Sequence, residues 1–470
     1  PSQSDYQLLS YLGRVNLSFL ESKYLVTLTA RADGSSKFIP ENRWSLFPSA
    51  AVAWRINQEE FLNDATWVKD LKLRVGYGKT GSQSINPYNT IYNYTQTREY
   101  TDANGGLNKA ITVSNLSNSD LIWETTSAYN AGLDFNFFNG LLGGTVEYYY
   151  KETSDLLINK NLAPSAGFSA ITVNQGALSN RGFELALNSD LIKNDNLLWQ
   201  ISGNIGTNAR KVLSLGSPLM DLGTVKGSGY LGNSIGDHFG VANIFLVDEA
   251  PGLFYGFKTD GIIQTGATNL PTTTLFNMLP GEINVVDTNG DGVISALDMT
   301  IIGDPNPDFN YGFQTSLNYK KFQFSTSFYG VKGGDILNGN IRYEQTPAAN
   351  TPNLTSEAYK NAWRVDAPNN LYPSLTSSVK NYIYDRFIED GSFLRCSDIT
   401  LGYTFDSASL GNKIGSINIF GSVKNAFVIT NYSGYDPEMR TFSFDGLRPG
   451  IDLNSFSNPR QFVFGFNVKF

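Results

Sequence analysis

Residues 461–470, QFVFGFNVKF, constrain the fold more tightly than any other stretch of this chain. Phe462, Phe464, Phe466, Val468 and Phe470 share one parity. Gln461, Gly465, Asn467 and Lys469 share the other, with Val463 the one apolar residue among them. Side chains of a strand alternate between its faces, so the segment predicts a strand with one aromatic face and one polar face. A soluble sheet can bury such a face in a core. A strand this aromatic is more typical of an outer-membrane barrel, where the apolar face meets lipid and the polar face meets the lumen. We therefore expect Phe462, Phe464, Phe466, Val468 and Phe470 to face the membrane.

The same alternation recurs along the chain. Tyr11, Gly13, Val15, Leu17 and Phe19 oppose Arg14, Asn16 and Ser18; Tyr129, Ala131, Leu133, Phe135 and Phe137 oppose Asn130, Asp134 and Asn136. Phe309, Tyr311, Phe313 and Leu317 oppose Asn310, Gln314, Ser316 and Asn318. About thirteen such strands are predicted, each near the ~10 residues that cross a bilayer at a tilt. The connections between them fall into two classes. Short ones are expected at residues 20–22, 138–140, 193–196, 320–321 and 406–415, and long ones at 81–123, 153–180, 211–308, 332–391 and 430–459. Short and long alternate, as periplasmic turns and extracellular loops do in an outer-membrane barrel. Residues 59–70, on the short side, are expected to hold a helical turn, and 32–38 (ADGSSKF) to form a polar loop.

Composition fits this reading. Aromatic residues make up 13% of the 470 residues and charged residues only 17%, against about 25% charged in ordinary soluble proteins. No run approaches the ~20 apolar residues of a membrane-spanning helix. A net charge of −8 argues against general nucleic-acid binding. With Cys396 the single cysteine, an intrachain disulfide and a cysteine-based metal cluster are excluded. The opening PSQSDYQLLSYLGRV does not have the pattern of a signal peptide. Single-chain bacterial barrels have even strand numbers, and an open sheet edge cannot face lipid. The expectation is thus the C-terminal part of a larger barrel, whose remaining strands lie on a preceding segment or a separate chain.

One motif carries explicit chemistry. Residues 287–298 read DTNGDGVISALD. Asp287, Asn289 and Asp291 stand at positions 1, 3 and 5 of an EF-hand-type loop, with Gly292 at the sharp turn of position 6. The Val293 carbonyl, Ser295 through a water, and Asp298 complete the expected ligand set. Asp replaces the usual Glu at position 12. Calcium takes six to eight hard oxygens, which this spacing supplies, so calcium is the expected structural ion. The competing reading is an Asx-rich turn without metal. His238 is the one histidine, which excludes a Ser-His-Asp triad built around any other imidazole; it is taken as a loop residue. The Gly-rich run at 227–236 lacks the Lys-Ser/Thr of a phosphate loop. Glu389 and Asp390 are expected to be solvated loop charges. No catalytic constellation emerges, and an enzyme is not expected.

Eight segments together resemble the C-terminal half of a SusC/RagA-type TonB-dependent outer-membrane transporter of the Bacteroidota. They are SYLGRVNLSFLESKYLVTLTARADGSSKF, RWSLFPSAAVAWRI, LKLRVGYGKTGSQSINPY, LIWETTSAYNAGLDFNF, YYYKETSDLL, GALSNRGFEL, DTNGDGVISALDMTIIGDPNPDFNYGF and SFLRCSDITLGYTF. The resemblance covers nearly all of residues 1–470. It implies a 22-stranded barrel when complete, an N-terminal plug, coupling through TonB, and a SusD-like lipoprotein over the extracellular mouth. It also implies import of oligosaccharides or peptides. The runner-up is a non-transporting SusC-like structural subunit of a larger outer-membrane assembly for biogenesis or secretion.

Overall fold

The computed structural model describes residues 4–101, 103–215, 229–232, 234–235, 240–345, 354–377, 382–406, 415–438, 441–442 and 444–470. Its framework is an antiparallel sheet. The principal strands are β1 (Leu8–Phe19), β2 (Tyr24–Ser35), β3 (Trp44–Arg55), β4 (Val68–Ser82), β5 (Glu124–Phe137), β6 (Leu142–Ser154) and β7 (Ala177–Lys193). β8 (Leu197–Gly206), β9 (Pro307–Tyr319), β10 (Phe322–Gly333), β11 (Phe393–Asp406), β12 (Ser416–Thr430) and β13 (Gln461–Lys469) follow. They are hydrogen-bonded in chain order from β1 to β13, and the short strand Ala209–Ser214 joins β7 as a fourteenth member. Thirteen alternating segments in the sequence thus correspond to thirteen strands in an up-and-down order. That order follows from local physics, since antiparallel neighbours need only a tight turn between them.

Three of the short connections, at 20–22, 138–140 and 320–321, are made by residues in the left-handed region. Leu20, Glu21 and Ser22 have φ of 48, 55 and 71°, Phe138 and Asn139 have 52 and 54°, and Lys320 has 51°. Residues 56–67 hold two 3-10 turns, Ile56–Gln58 and Glu60–Leu62, and the second lies within residues 59–70, where a helical turn is expected.

The chain divides into two compact units, Pro1–Asn139 with Thr145–Phe183 and Arg210–Met220, and Gly140–Gly144 with Glu184–Ala209 and Asp221–Phe470. In each, the buried apolar cores lie mainly in the long connections. In the first unit Phe38, Phe47, Ile85, Leu121 and Trp123 form one cluster. Phe38 and Phe47 stand 5.4 and 5.6 Å from the Trp123 ring, centroid to centroid, and Trp123 Nε1 donates to the Arg43 carbonyl at 2.9 Å. Here residues 32–38 depart from the expectation of a polar loop. β2 runs on to Ser35, and Asp33, Ser35 and Phe38 are buried. Phe38 is the reason: one large ring finding Trp123 outweighs the polarity of its neighbours. Gly81 belongs to the same packing, because a Cβ there would lie 2.1 Å from the Phe47 ring.

In the second unit a larger cluster gathers Phe254, Phe257, Val285, Ile294, Leu337, Ile383, Tyr384, Phe387 and Ile451. These residues come from connections 207–306, 334–392 and 431–460, so three loops share one core. Each fully buried side chain of this size contributes roughly 1.5–3 kcal/mol. Glu389 differs from a solvated charge: its carboxylate accepts from Asn338 Nδ2 at 2.9 Å and from Ser433 N and Oγ, both at 2.7 Å. It ties two connections together, whereas Asp390 is exposed and caps Ser392. His238 and four residues of the Gly-rich run (227, 228, 233 and 236) lie outside the described residues. Cys396 is buried in β11.

Candidate functional site

The strands carry two chemically distinct faces. Phe462, Phe464, Phe466 and Phe470 are 66, 84, 72 and 93% exposed, and Val468 is 36% exposed. Phe464 continues a row through Gly421 and Leu401 to Phe324 on the neighbouring strands. In the first unit Val26, Val52 and Val75 form a similar row. Contiguous apolar surface on this scale marks a partner or a membrane. Among the described residues no second β-layer covers these side chains, so they do not form the core of a sandwich.

The opposite face is polar and internally hydrogen-bonded. In the first unit Asp134 accepts from Lys72 Nζ at 2.9 Å and from Arg74 Nε at 2.8 Å, while Arg74 Nη2 reaches Glu147 at 3.4 Å. Gly132 lies opposite Arg74, and a Cβ there would stand 2.9 Å from the guanidinium. In the second unit Ser422 Oγ donates to Asp398 at 2.7 Å, Thr400 Oγ1 to Ser422 at 2.9 Å, and Asn418 Nδ2 to Thr404 at 2.9 Å. Val463, the apolar intruder, sits beside Ser422 on this face. A face so occupied is compatible with water and not with hydrocarbon.

The acidic loop at 287–298 belongs to the second unit. Asp287 accepts the N–H groups of Gly290 and Gly292, both at 2.7 Å, and these bonds, the Gly292 one foremost, hold its carboxyl below the usual range. Asn289 Oδ1 accepts from Asp291 N at 2.9 Å, and Asp291 Oδ1 from Val293 N at 2.8 Å. Gly290 and Gly292 have φ of 75 and 80°, which the sharp turn requires. Val293 is exposed while Ile294 is anchored in the core. Asp298 is fully buried, with Oδ1 accepting from Thr288 N at 2.9 Å and Oδ2 from Ser295 N at 2.8 Å. Ser295 caps the turn Ala296–Asp298. Asn289, Asp291 and Val293 stand on the exposed side of the turn, and among the described residues neither Asp287 nor Asp291 makes an ion pair. Asp298 works instead as a clasp on the backbone. Also among the described residues, no three Asp, Glu, His or Cys side chains are gathered as a ready-made metal centre.

Residues 2–426 match the family described as "TonB dependent receptor-like, beta-barrel". The chain belongs to that family. It is accordingly an outer-membrane protein. It is 34% identical over 99% of its length to TonB-dependent receptor P3 of Formosa agariphila. It is 32% identical over 98% of its length to TonB-dependent receptor SusC of Bacteroides thetaiotaomicron. The fold matches the solved RagAB peptide transporter with a TM-score of 0.81 at 23% identity, over 99% of this chain and 48% of that one. The chain spans about half the length of the curated relatives it matches, 46% for P3 and 44% for SusC.

Sequence parity placed Asp134 on the polar face, but its pairing with Lys72 and Arg74 was not legible, because the partners lie about sixty residues away. The register Lys72↔Asp134 brings them together.

Proposed function

We propose that this chain forms barrel wall and extracellular loops of an outer-membrane importer of oligosaccharides or peptides. The importer is driven through TonB and works with a SusD-like surface lipoprotein. The observation that carries this reading is the pairing, on the same strands, of an exposed apolar face with a hydrogen-bonded polar face. The names of SusC and of the RagAB peptide transporter support it as relatives. TonB contact, the plug and the strands that would cover the free edges of β1 and β13 belong to the remaining N-terminal barrel segment. A bacterium lacking the full protein should lose accumulation of one class of labelled oligosaccharide or peptide, and collapse of the proton-motive force should abolish the wild-type uptake. Unchanged uptake of every class, with loss of an outer-membrane assembly, would establish the structural-subunit alternative instead.

The calcium assignment is part of this proposal. Asp287, Asn289, Asp291 and the Val293 carbonyl would hold the ion at the end of the longest connection, with Asp298 joining only by giving up N–H partners. Calcium titrated into the chelator-washed protein should produce binding heat that Asp287→Ala and Asp291→Ala abolish. Proteolysis within 207–306 should quicken on chelation; identical cleavage with and without chelator would reject the assignment.

A further inference from the structure

In the first unit, connections 83–123 and 155–176 line a solvent-open pocket of about 450 Å³, within the roughly 300–1,000 Å³ of small-ligand sites. Asn86, Asn89, Asn115, Asn159, Thr172 and Phe168 stand on its wall. Among the described residues, no acidic or basic side chain lines it.

Hydrogen bonds order this wall. Asn89 Nδ2 donates to Thr172 Oγ1 at 3.0 Å, and Thr172 Oγ1 donates onward to Asn159 Oδ1 at 2.8 Å. The relay joins the two connections. Asn115 is fixed from behind, its Oδ1 accepting the Asn93 N–H at 3.0 Å. The relay leaves directional groups unspent: the Asn89 side-chain oxygen, the Asn159 Nδ2 hydrogens and the Asn86 amide make no further side-chain bond among the described residues. Each amide presents donors and an acceptor on one plane, which matches neighbouring hydroxyls that both donate and accept. Phe168 is half-buried and offers an aromatic surface beside them.

We propose that this cavity is a subsite for a neutral saccharide. Amide and hydroxyl groups replace the water that sugar hydroxyls lose, and the Phe168 ring covers a C–H face of the pyranose. A sulfate, carboxylate or ammonium group entering the same space sheds part of its hydration and meets no opposite charge among the lining residues. The subsite therefore selects against anionic glycans and against short peptides with charged termini. A wall ordered in advance binds with less loss of side-chain freedom.

This assignment rests on the uptake reading above, and its test separates the two. The full-length protein in detergent is titrated with neutral gluco-, manno-, galacto- and xylo-oligosaccharides, with sulfated and uronate-bearing oligosaccharides, and with peptides of three to five residues. At least one neutral oligosaccharide should bind, and Asn86→Leu, Asn159→Leu and Phe168→Ala should each weaken it about tenfold or more, with unchanged thermal melting. Binding only to anionic glycans or peptides, no binding by any member, or neutral binding indifferent to all three variants would overturn the subsite. Energy-dependent uptake that persists through such a result leaves the importer standing; absence of any uptake phenotype removes the importer as well.

Discussion

Arg395 illustrates what burial does to a charge. It and Asp436 are 4 and 3% exposed, with Nη2 and Oδ1 2.5 Å apart. Glu438 lies 2.5 Å from Nε as a charge contact without hydrogen-bond alignment, and Tyr329 donates to both Glu438 oxygens at 2.8–2.9 Å. Removing one member leaves the other charge desolvated, at a cost of about 3–5 kcal/mol. Arg395→Ala should therefore lower thermal stability and expose 431–460 to protease, whereas Arg395→Met with Asp436→Leu should restore much of the loss. Glu59 offers a pH-dependent counterpart. Its carboxylate accepts from Tyr24 OH at 2.8 Å, Trp54 Nε1 at 2.9 Å and Lys23 Nζ at 3.2 Å. The Tyr24 bond first, then the Trp54 bond, holds its carboxyl below the ordinary value of 4.5. A depressed pKa adds stability that is full above the unfolded value and is lost as pH falls through the folded one. Trp54 fluorescence in the wild type should change below pH 4.5, and Glu59→Gln should remove that transition. Neither contact was legible in sequence, because the Arg395 partner lies 41 positions away and the Tyr24 partner 35.

At the scale of the element, the strands were legible because parity is a local property. Phe464 and Asn467 sit three positions apart in β13 and fall on opposite faces. On a lipid face a central arginine costs roughly 2–4 kcal/mol, while on the lumen face it is solvated. Phe464→Arg should reduce folding yield in bilayers, and Asn467→Arg should fold as the wild type; equal yields would show that both faces meet the same solvent. The polar loop expected at residues 32–38 failed where a strand runs on beyond the alternating pattern. The outer end of β2 buries Asp33 and Ser35, and Phe38 turns inward. There the neighbouring connection, and not bilayer or lumen, supplies the surroundings.

For the molecule as a whole, the decisive finding is the shared core of connections 207–306, 334–392 and 431–460. Phe257 is fully buried at its centre, with the Phe276 and Tyr382 rings 5.0 and 5.3 Å away. Phe257→Ala should cost about 3–5 kcal/mol and raise hydrogen exchange in all three connections together. An increase confined to the first would mean that the loops are independent. The sequence by itself determined the number of strands, their two faces, the alternation of short and long connections and the family. Each follows from side-chain polarity read over a few residues, with lipid and water enforcing the pattern on opposite faces. Only the tertiary structure decided which loops share a core, which buried charges pair and which asparagines meet around one cavity. Those contacts join residues tens to hundreds of positions apart, and no local period encodes them.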